Sequence, residues 1–188
     1  EMMSKQEVRE HVEIGLDVSP VQRIVPESVG GGLDYDTGKK HGDAAGWNAR
    51  ELGGPEGICV WCDLESFEHR SPSQIIDWAR GWYAGAIRHG VDPNGYFGMG
   101  LGNDQDGYLT PEMLYRKLPF WKYWRAASAV PDVERRGYCM VQGTQIGDPT
   151  KWGKPGEEEH FGIFPGTPGY PKGLVIDQDI VCLDHLYF

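Results

Sequence analysis

The sequence lacks any dense cluster of Lys and Arg. "ERR" at 134–136 comes nearest, and the 188 residues carry a formal net charge of −10. Nucleic acids and anionic membrane surfaces recruit proteins through concentrated basic charge, so neither is expected as a partner. No apolar run approaches the roughly 20 residues that cross a bilayer. Cysteine is scarce, with four residues at 59, 62, 139 and 182. "CVWC" (59–62) has the spacing of a redox or zinc motif, but no second CxxC exists to complete a zinc site. The pair also falls on a strand-like segment, where residues three apart face opposite sides. Buried free thiols are the expected state, with no metal and no other cofactor. The six His residues form no HExxH pattern, there is no GxSxG, and "GMGLG" lacks the dinucleotide-binding spacing. "NDQDGYLTPEM" puts Asp104, Asp106, Gly107 and Leu109 in the register of a calcium loop. Gly102 stands at the first ligand position, however, and Met113 where the bidentate Glu belongs, so that reading is rejected.

What is present is the content of one folded domain, 1–188. The chain is 39% hydrophobic and 12% aromatic, with seven Trp and nine Tyr, unlike a disordered segment. Ser4 and Glu7 form a capping-box pattern that opens a helix running to Gly15. Asp43 is expected to cap a helix "AAGWNAREL" that stops at Gly53 and Gly54, after a glycine-rich loop "VGGGLDYDTG". The clearest helix is "SPSQIIDWARGWYAGAIRHG". Ser71 caps it, Pro72 takes the first position, Ile75, Trp78, Ala79, Trp82 and Ala86 make its apolar stripe, and Gly90 ends it. A further helix is expected over 111–122. Strands are expected near 16–22, 57–64, 95–100, 123–128, 137–142 and 174–181, and 144–172 reads as a long loop. Strands alternating with helices predict a parallel sheet, open or closed into a barrel.

Two strand ends carry paired acids. In "GICVWCDLESF" Cys59, Trp61, Asp63 and Glu65 share one face, because side chains two apart on a strand point the same way. In "VIDQDIV" Val175, Asp177, Asp179 and Val181 do likewise. In a parallel barrel the carboxyl ends of the strands form the active-site face. Carboxylates converging there raise one another's pKa, as a general acid requires. The same acids have a plain structural role open to them, capping the next helix or bonding loop amides. Trp61, Tyr96, Trp124 and Trp152 are candidates for stacking on sugar rings, and equally for packing.

The order of the segments "MSKQEVREHVEIGLDVSPVQ", "GKKHGDAAGWNARELGGPEGICVWCDLE", "WARGWYAGAIRHGVDPNGYFGMG", "YWRAAS", "CMVQG" and "VIDQDIV" resembles the glycoside-hydrolase-like domain of unknown function of actinobacterial secreted proteins and their phages. That family is similar to the family-25 glycoside hydrolases, the lysozyme-like muramidases. The resemblance spans nearly the whole chain. It implies a TIM-type (β/α) barrel and a cell-wall polysaccharide substrate such as peptidoglycan. It also implies a location outside the cytoplasm, in the envelope or on a virion. The family-25 Asp-x-Glu matches Asp63 and Glu65, with Glu65 as general acid and Asp63 orienting substrate or stabilising charge. Asp177 matches the acid of the final strand, and Trp61, Tyr96, Trp124, Gln142 and Asp179 are the candidate substrate-binding residues. Many members of the unknown-function family have Asp-x-Asp at this site, so Glu65 brings the chain nearer the muramidase form.

Within that resemblance helix 4–14 corresponds to the element after the second barrel strand. The barrel is therefore expected to lack its first two strands here, with the chain a piece of a longer protein. The alternative to a hydrolase is a non-catalytic carbohydrate-binding or structural barrel in a phage tail or envelope assembly. In that case 144–172 would be the contact surface for an assembly partner.

Overall fold

The computed structural model describes residues 3–23, 32–65, 67, 70–97, 103–104, 107–109, 111–125, 140–142, 161–164, 174–177 and 179–181, with the strands after Trp124 described by their backbone. Helix α1, Lys5–Glu13, opens on the expected capping box: Ser4 Oγ accepts from the Glu7 N–H, and Glu7 accepts from the Ser4 N–H. Those hydrogen bonds hold the Glu7 carboxyl below its ordinary pKa. Strand β1 is short, Val21–Arg23, rather than the segment near 16–22.

Helix α2, Tyr35–Glu51, corrects the expected boundary. Its cap is Asp34, whose Oδ1 accepts from the Thr37 N–H at 2.8 Å, and Asp43 lies mid-helix. "YDTG" (35–38) was expected to belong to a glycine-rich loop, because glycine is a poor helix former. Here Gly38, Gly42 and Gly46 recur every fourth residue and lie against helix α3, Pro72–Ala86. A Cβ at Gly38 or Gly42 would overlap the carbonyl oxygen of Trp78 or Trp82. Gly81 and Gly85 of α3 are equally tight against Tyr35 and Lys39. Close packing of two backbones overrides the glycine penalty of roughly 1 kcal/mol each.

Helix α3 begins as expected, with Ser71 capping and Pro72 in the first turn. A 3-10 turn, Ile87–His89, continues it to Gly90, which adopts φ +68°, a conformation glycine accepts without strain. All five residues of its expected stripe are buried.

Strand β2 is Cys59–Leu64 and strand β3 is Asp92–Phe97. Asp92, Pro93 and Asn94 therefore belong to a strand that was expected to begin near Gly95. The Asp92 N–H bonds Ile58 O on the β2 side, so the Pro93 nitrogen faces the other way. There pairing begins only at Gly95, so the absent N–H costs nothing. A small hairpin, β4 (Asn103–Asp104) with β5 (Gly107–Tyr108), occupies the rejected calcium-loop segment. Helix α4, Pro111–Lys117, stops short of 122 because Leu118 precedes Pro119, and a residue before proline avoids helical ψ.

Strands β6 (Tyr123–Arg125) and β7 (Met140–Gln142) follow, then β8 (Phe161–Phe164), β9 (Leu174–Asp177) and β10 (Asp179–Val181). The six-stranded sheet has the order β1-β2-β3-β6-β7-β10. Its first four pairings are parallel, and β10 joins β7 antiparallel. An all-parallel sheet was expected, so this last pairing is a correction. A second correction is that β8 lies inside the stretch read as loop, where it pairs antiparallel with β9. The fold is a mixed α/β sheet whose parallel part is compatible with an arc of a barrel.

The two faces of the sheet differ. Val60, Cys62, Leu64, Phe97 and Tyr123 join Ile75, Trp78, Trp82, Leu114 and Phe120 in the main core beneath the helices. The Trp82 indole N–H donates to Gln22 Oε1, tying α3 to β1. Cys59, Trp61 and Asp63 take the opposite face, with Asp92, Asn94 and Tyr96 beside them in register.

Candidate functional site

Period-two alternation along β2 makes Asp63 the last residue of the strand on the face turned away from the helices. Its Cα partners are Arg23 on β1 and Tyr96 on β3, and Tyr96 is in turn partnered by Trp124 on β6. One row across the parallel strands therefore reads Arg23, Asp63, Tyr96, Trp124, at their carboxyl ends. Glu65 follows two residues beyond Asp63.

Asp63 is only 6% exposed. Its Oδ1 accepts the backbone N–H of Glu65 at 3.1 Å. Burial pushes its carboxyl pKa up to about 6, and the negative charge of Glu65 adds to the rise. The Glu65 N–H and the Arg23 charge pull the other way without cancelling it. The loop-amide bond expected of a plain strand-end acid is thus present. A carboxyl half-protonated near pH 6 is what general acid–base chemistry uses. Glu65 is half-buried. Arg80 bonds Lys117 O at 3.2 Å and lies 3.8 Å from Asp77.

Below Asp63 lies an aromatic floor. Trp61 and Tyr96 are buried, and each meets the half-exposed Trp124 edge-to-face, with centroids 5.6 and 4.6 Å apart. The Trp61 indole N–H donates to Ser19 Oγ at 2.7 Å. Of these rings, Trp124 keeps a surface toward solvent. Trp152 lies outside the described residues.

The amino end of the same face holds a different polar cluster. Lys122 Nζ lies 2.6 Å from Asp92 Oδ2 and 3.4 Å from Cys59 Sγ. Fully buried Asn94 donates to Asp92 O and accepts the Lys122 N–H at 2.9 Å, pinning the start of β6. Burial raises the Cys59 thiol, and Lys122 only partly offsets it. Cys62 is buried in the main core, where burial holds its thiol well above the ordinary range. Both are free cysteines on opposite faces; Cys139 and Cys182 lie outside the described residues. Among the described residues no three His, Cys, Asp or Glu side chains gather as metal ligands do.

The remaining candidates are placed by backbone alone. Gln142 and Asp179 are Cα partners across β7 and β10, at the far edge of the sheet. Asp177 ends β9, opposite Phe161, and Gln178 between the two acids is outside the described residues. Asp63 and Glu65 are adjacent at one site, and Tyr96 and Trp124 join Asp63 in its row. The described residues do not bring Asp177 into that row.

A model of the Rv2525c-like, glycoside hydrolase-like domain matches residues 1–127, which includes α1 to β6 and the Asp63–Glu65 site. The chain belongs to that family. The glycoside hydrolase-like domain is also similar in structure to an uncharacterized B. stearothermophilus protein solved by crystallography. That likeness has a TM-score of 0.51 and 19% identity, over 78% of this chain and 73% of that one. It supports the fold alone. No curated relative matches the chain.

Arg23 is the site residue that sequence reasoning missed in this glycoside hydrolase-like domain. Alternation within "VQR" places it on one face with Val21. Only the β1–β2 register sets it beside Asp63.

Proposed function

We propose that this domain acts on a polysaccharide, with Asp63 and Glu65 as its carboxyl pair, on a sheet that forms part of a TIM-type barrel. The observation that carries the reading is Asp63. It is a buried carboxyl raised to about 6, at the carboxyl end of a parallel strand, beside a second acid, in a glycoside hydrolase-like chain.

Asp63 keeps a proton up to about pH 6 with the Glu65 charge beside it, so the two carboxyls have one proton to give. Glu65, the outer member, delivers it to the glycosidic oxygen as that bond breaks. Asp63 beneath it, held by the Glu65 N–H, then carries the negative charge that stabilises the oxocarbenium-like sugar. Asp177 is the further acid proposed to assist, as base or nucleophile. Trp124 offers a ring to the sugar, supported by buried Trp61 and Tyr96, and Gln142 and Asp179 extend the binding face. Peptidoglycan is the substrate we propose, which places the protein in the cell envelope, outside the cell or on a virion. Among the described residues no helix is long and apolar enough to cross a membrane.

The test is release of reducing ends from purified peptidoglycan by the protein, Glu65→Gln and Asp63→Asn. Loss of at least about a hundredfold in Glu65→Gln is expected, the lower range for removing a general acid. Equal turnover by the protein and Glu65→Gln would remove Glu65 from the chemistry. The Asp63–Glu65 backbone bond favours one second reading, a binding domain without catalysis. It predicts saccharide binding with no turnover by any of the three proteins.

A further inference from the structure

Arg23 is an exposed cation beside a buried acid, in a protein of net charge −10. It is the Cα partner of Asp63, so their backbones lie roughly 4.8 Å apart and their side chains leave the sheet on the same side. Gln22, between Val21 and Arg23, turns to the other face and bonds Trp82. That bond anchors β1 and fixes the side from which Arg23 projects. Arg23 is close enough for its charge to act on Asp63. Among the described residues it forms neither a hydrogen bond nor an ion pair, so its five donors stay available at the mouth of the site.

We infer that Arg23 is a specificity residue that takes a carboxylate borne by the saccharide, and this rests on the polysaccharide reading above. A site built from Asp63 and Glu65 repels an anionic glycan. A guanidinium one strand away offsets that repulsion locally and matches a carboxylate with two parallel N–H donors. A doubly charged phosphate would meet stronger repulsion from the two acids, so a singly charged carboxylate is the better fit. The glycan selected is one whose sugars carry a free carboxylate, either as a uronic acid or as an acidic ether substituent that bears no amide-linked peptide.

The experiment compares two oligosaccharides of equal length by calorimetry. One is neutral, built from N-acetylglucosamine, and the other alternates N-acetylglucosamine with N-acetylmuramic acid. The proteins are the full chain, Arg23→Gln, Arg23→Lys, and Arg9→Gln on α1 as a control away from the site. The full chain and Arg9→Gln are expected to prefer the acidic oligosaccharide by about tenfold, as one charge-assisted contact provides. That preference should shrink as salt rises from about 50 to about 300 mM. Arg23→Gln should lose the preference and turn toward the neutral oligosaccharide, because Asp63 and Glu65 then repel the acid unopposed, and Arg23→Lys should keep part of the preference. An Arg23→Gln protein that still prefers the acidic oligosaccharide, or a full chain with no preference, overturns the role of Arg23 and leaves the polysaccharide reading standing. Failure of the full chain to bind either saccharide overturns both.

Discussion

One face of the sheet carries an aspartate at each end, and the two are treated oppositely. At the amino end Asp92 has an ammonium at 2.6 Å, a thiol at 3.6 Å, and an Asn94 that pins the neighbouring strand. At the carboxyl end Asp63 is more deeply buried, has a single backbone N–H, and sits next to another acid. Lys122 reflects the first arrangement: burial opposes its charge, but the bond to Asp92 and the nearby Cys59 and Asp92 charges leave its pKa above the ordinary value. Asp63 reflects the second, with its proton held to about pH 6. One end is compensated and serves stability. The other is compensated only in part, as functional sites are.

The largest effect that can break this contrast is at the compensated end. Lys122→Ala leaves Asp92 without its cation and should cost about 3 kcal/mol in urea unfolding, the low end for breaking a buried pair because both groups keep some exposure. The double change Lys122→Ala with Asp92→Ala should recover part of that loss. A cost below about 0.5 kcal/mol for Lys122→Ala would make the pair an ordinary surface one.

At the carboxyl end the sign reverses. The folded protein holds the Asp63 proton up to about 6, whereas the unfolded chain releases it near 3.8. Stability therefore falls as pH rises from about 4 to 6, and the penalty persists above that. Asp63→Asn, which can still accept the Glu65 N–H, should gain about 3 kcal/mol at pH 7 and little at pH 4. A loss of stability at pH 7 would show that the Asp63 charge is compensated after all.

Smaller shifts sharpen the same picture. In Glu65→Gln a neighbouring negative charge is gone, so the Asp63 carboxyl, followed by carbon NMR, should titrate below about 6. Arg23→Gln should move it upward by a lesser amount, since the Arg23 charge is the weakest of the four influences on Asp63. No shift in either variant would mean that burial alone sets the value.

Much of this was legible in the sequence, for local reasons. Ser4, Ser71, Pro72 and Gly90 mark helix ends through backbone chemistry that does not depend on distant partners. The stripe of α3 and the alternation of "CVWCDLE" likewise follow from helix and strand periods, which is why Asp63 and Glu65 stood out beforehand. The start of α2 was not legible, because Gly38 and Gly42 are helical only where α3 packs against them. Nor was the strand identity of Pro93, which depends on β6 starting two residues later. The antiparallel entry of β10 is a matter of topology that no local signal records.

The residues alone determined that two acids would share a face at the end of a strand, because a strand repeats every two residues. Only the tertiary structure decided which of them is buried, which rings lie beneath, and that Arg23 stands beside Asp63. Those depend on the register between strands distant in sequence. The pKa of a carboxyl is set by the water it loses and the charges it gains, and both arrive only when the sheet is assembled.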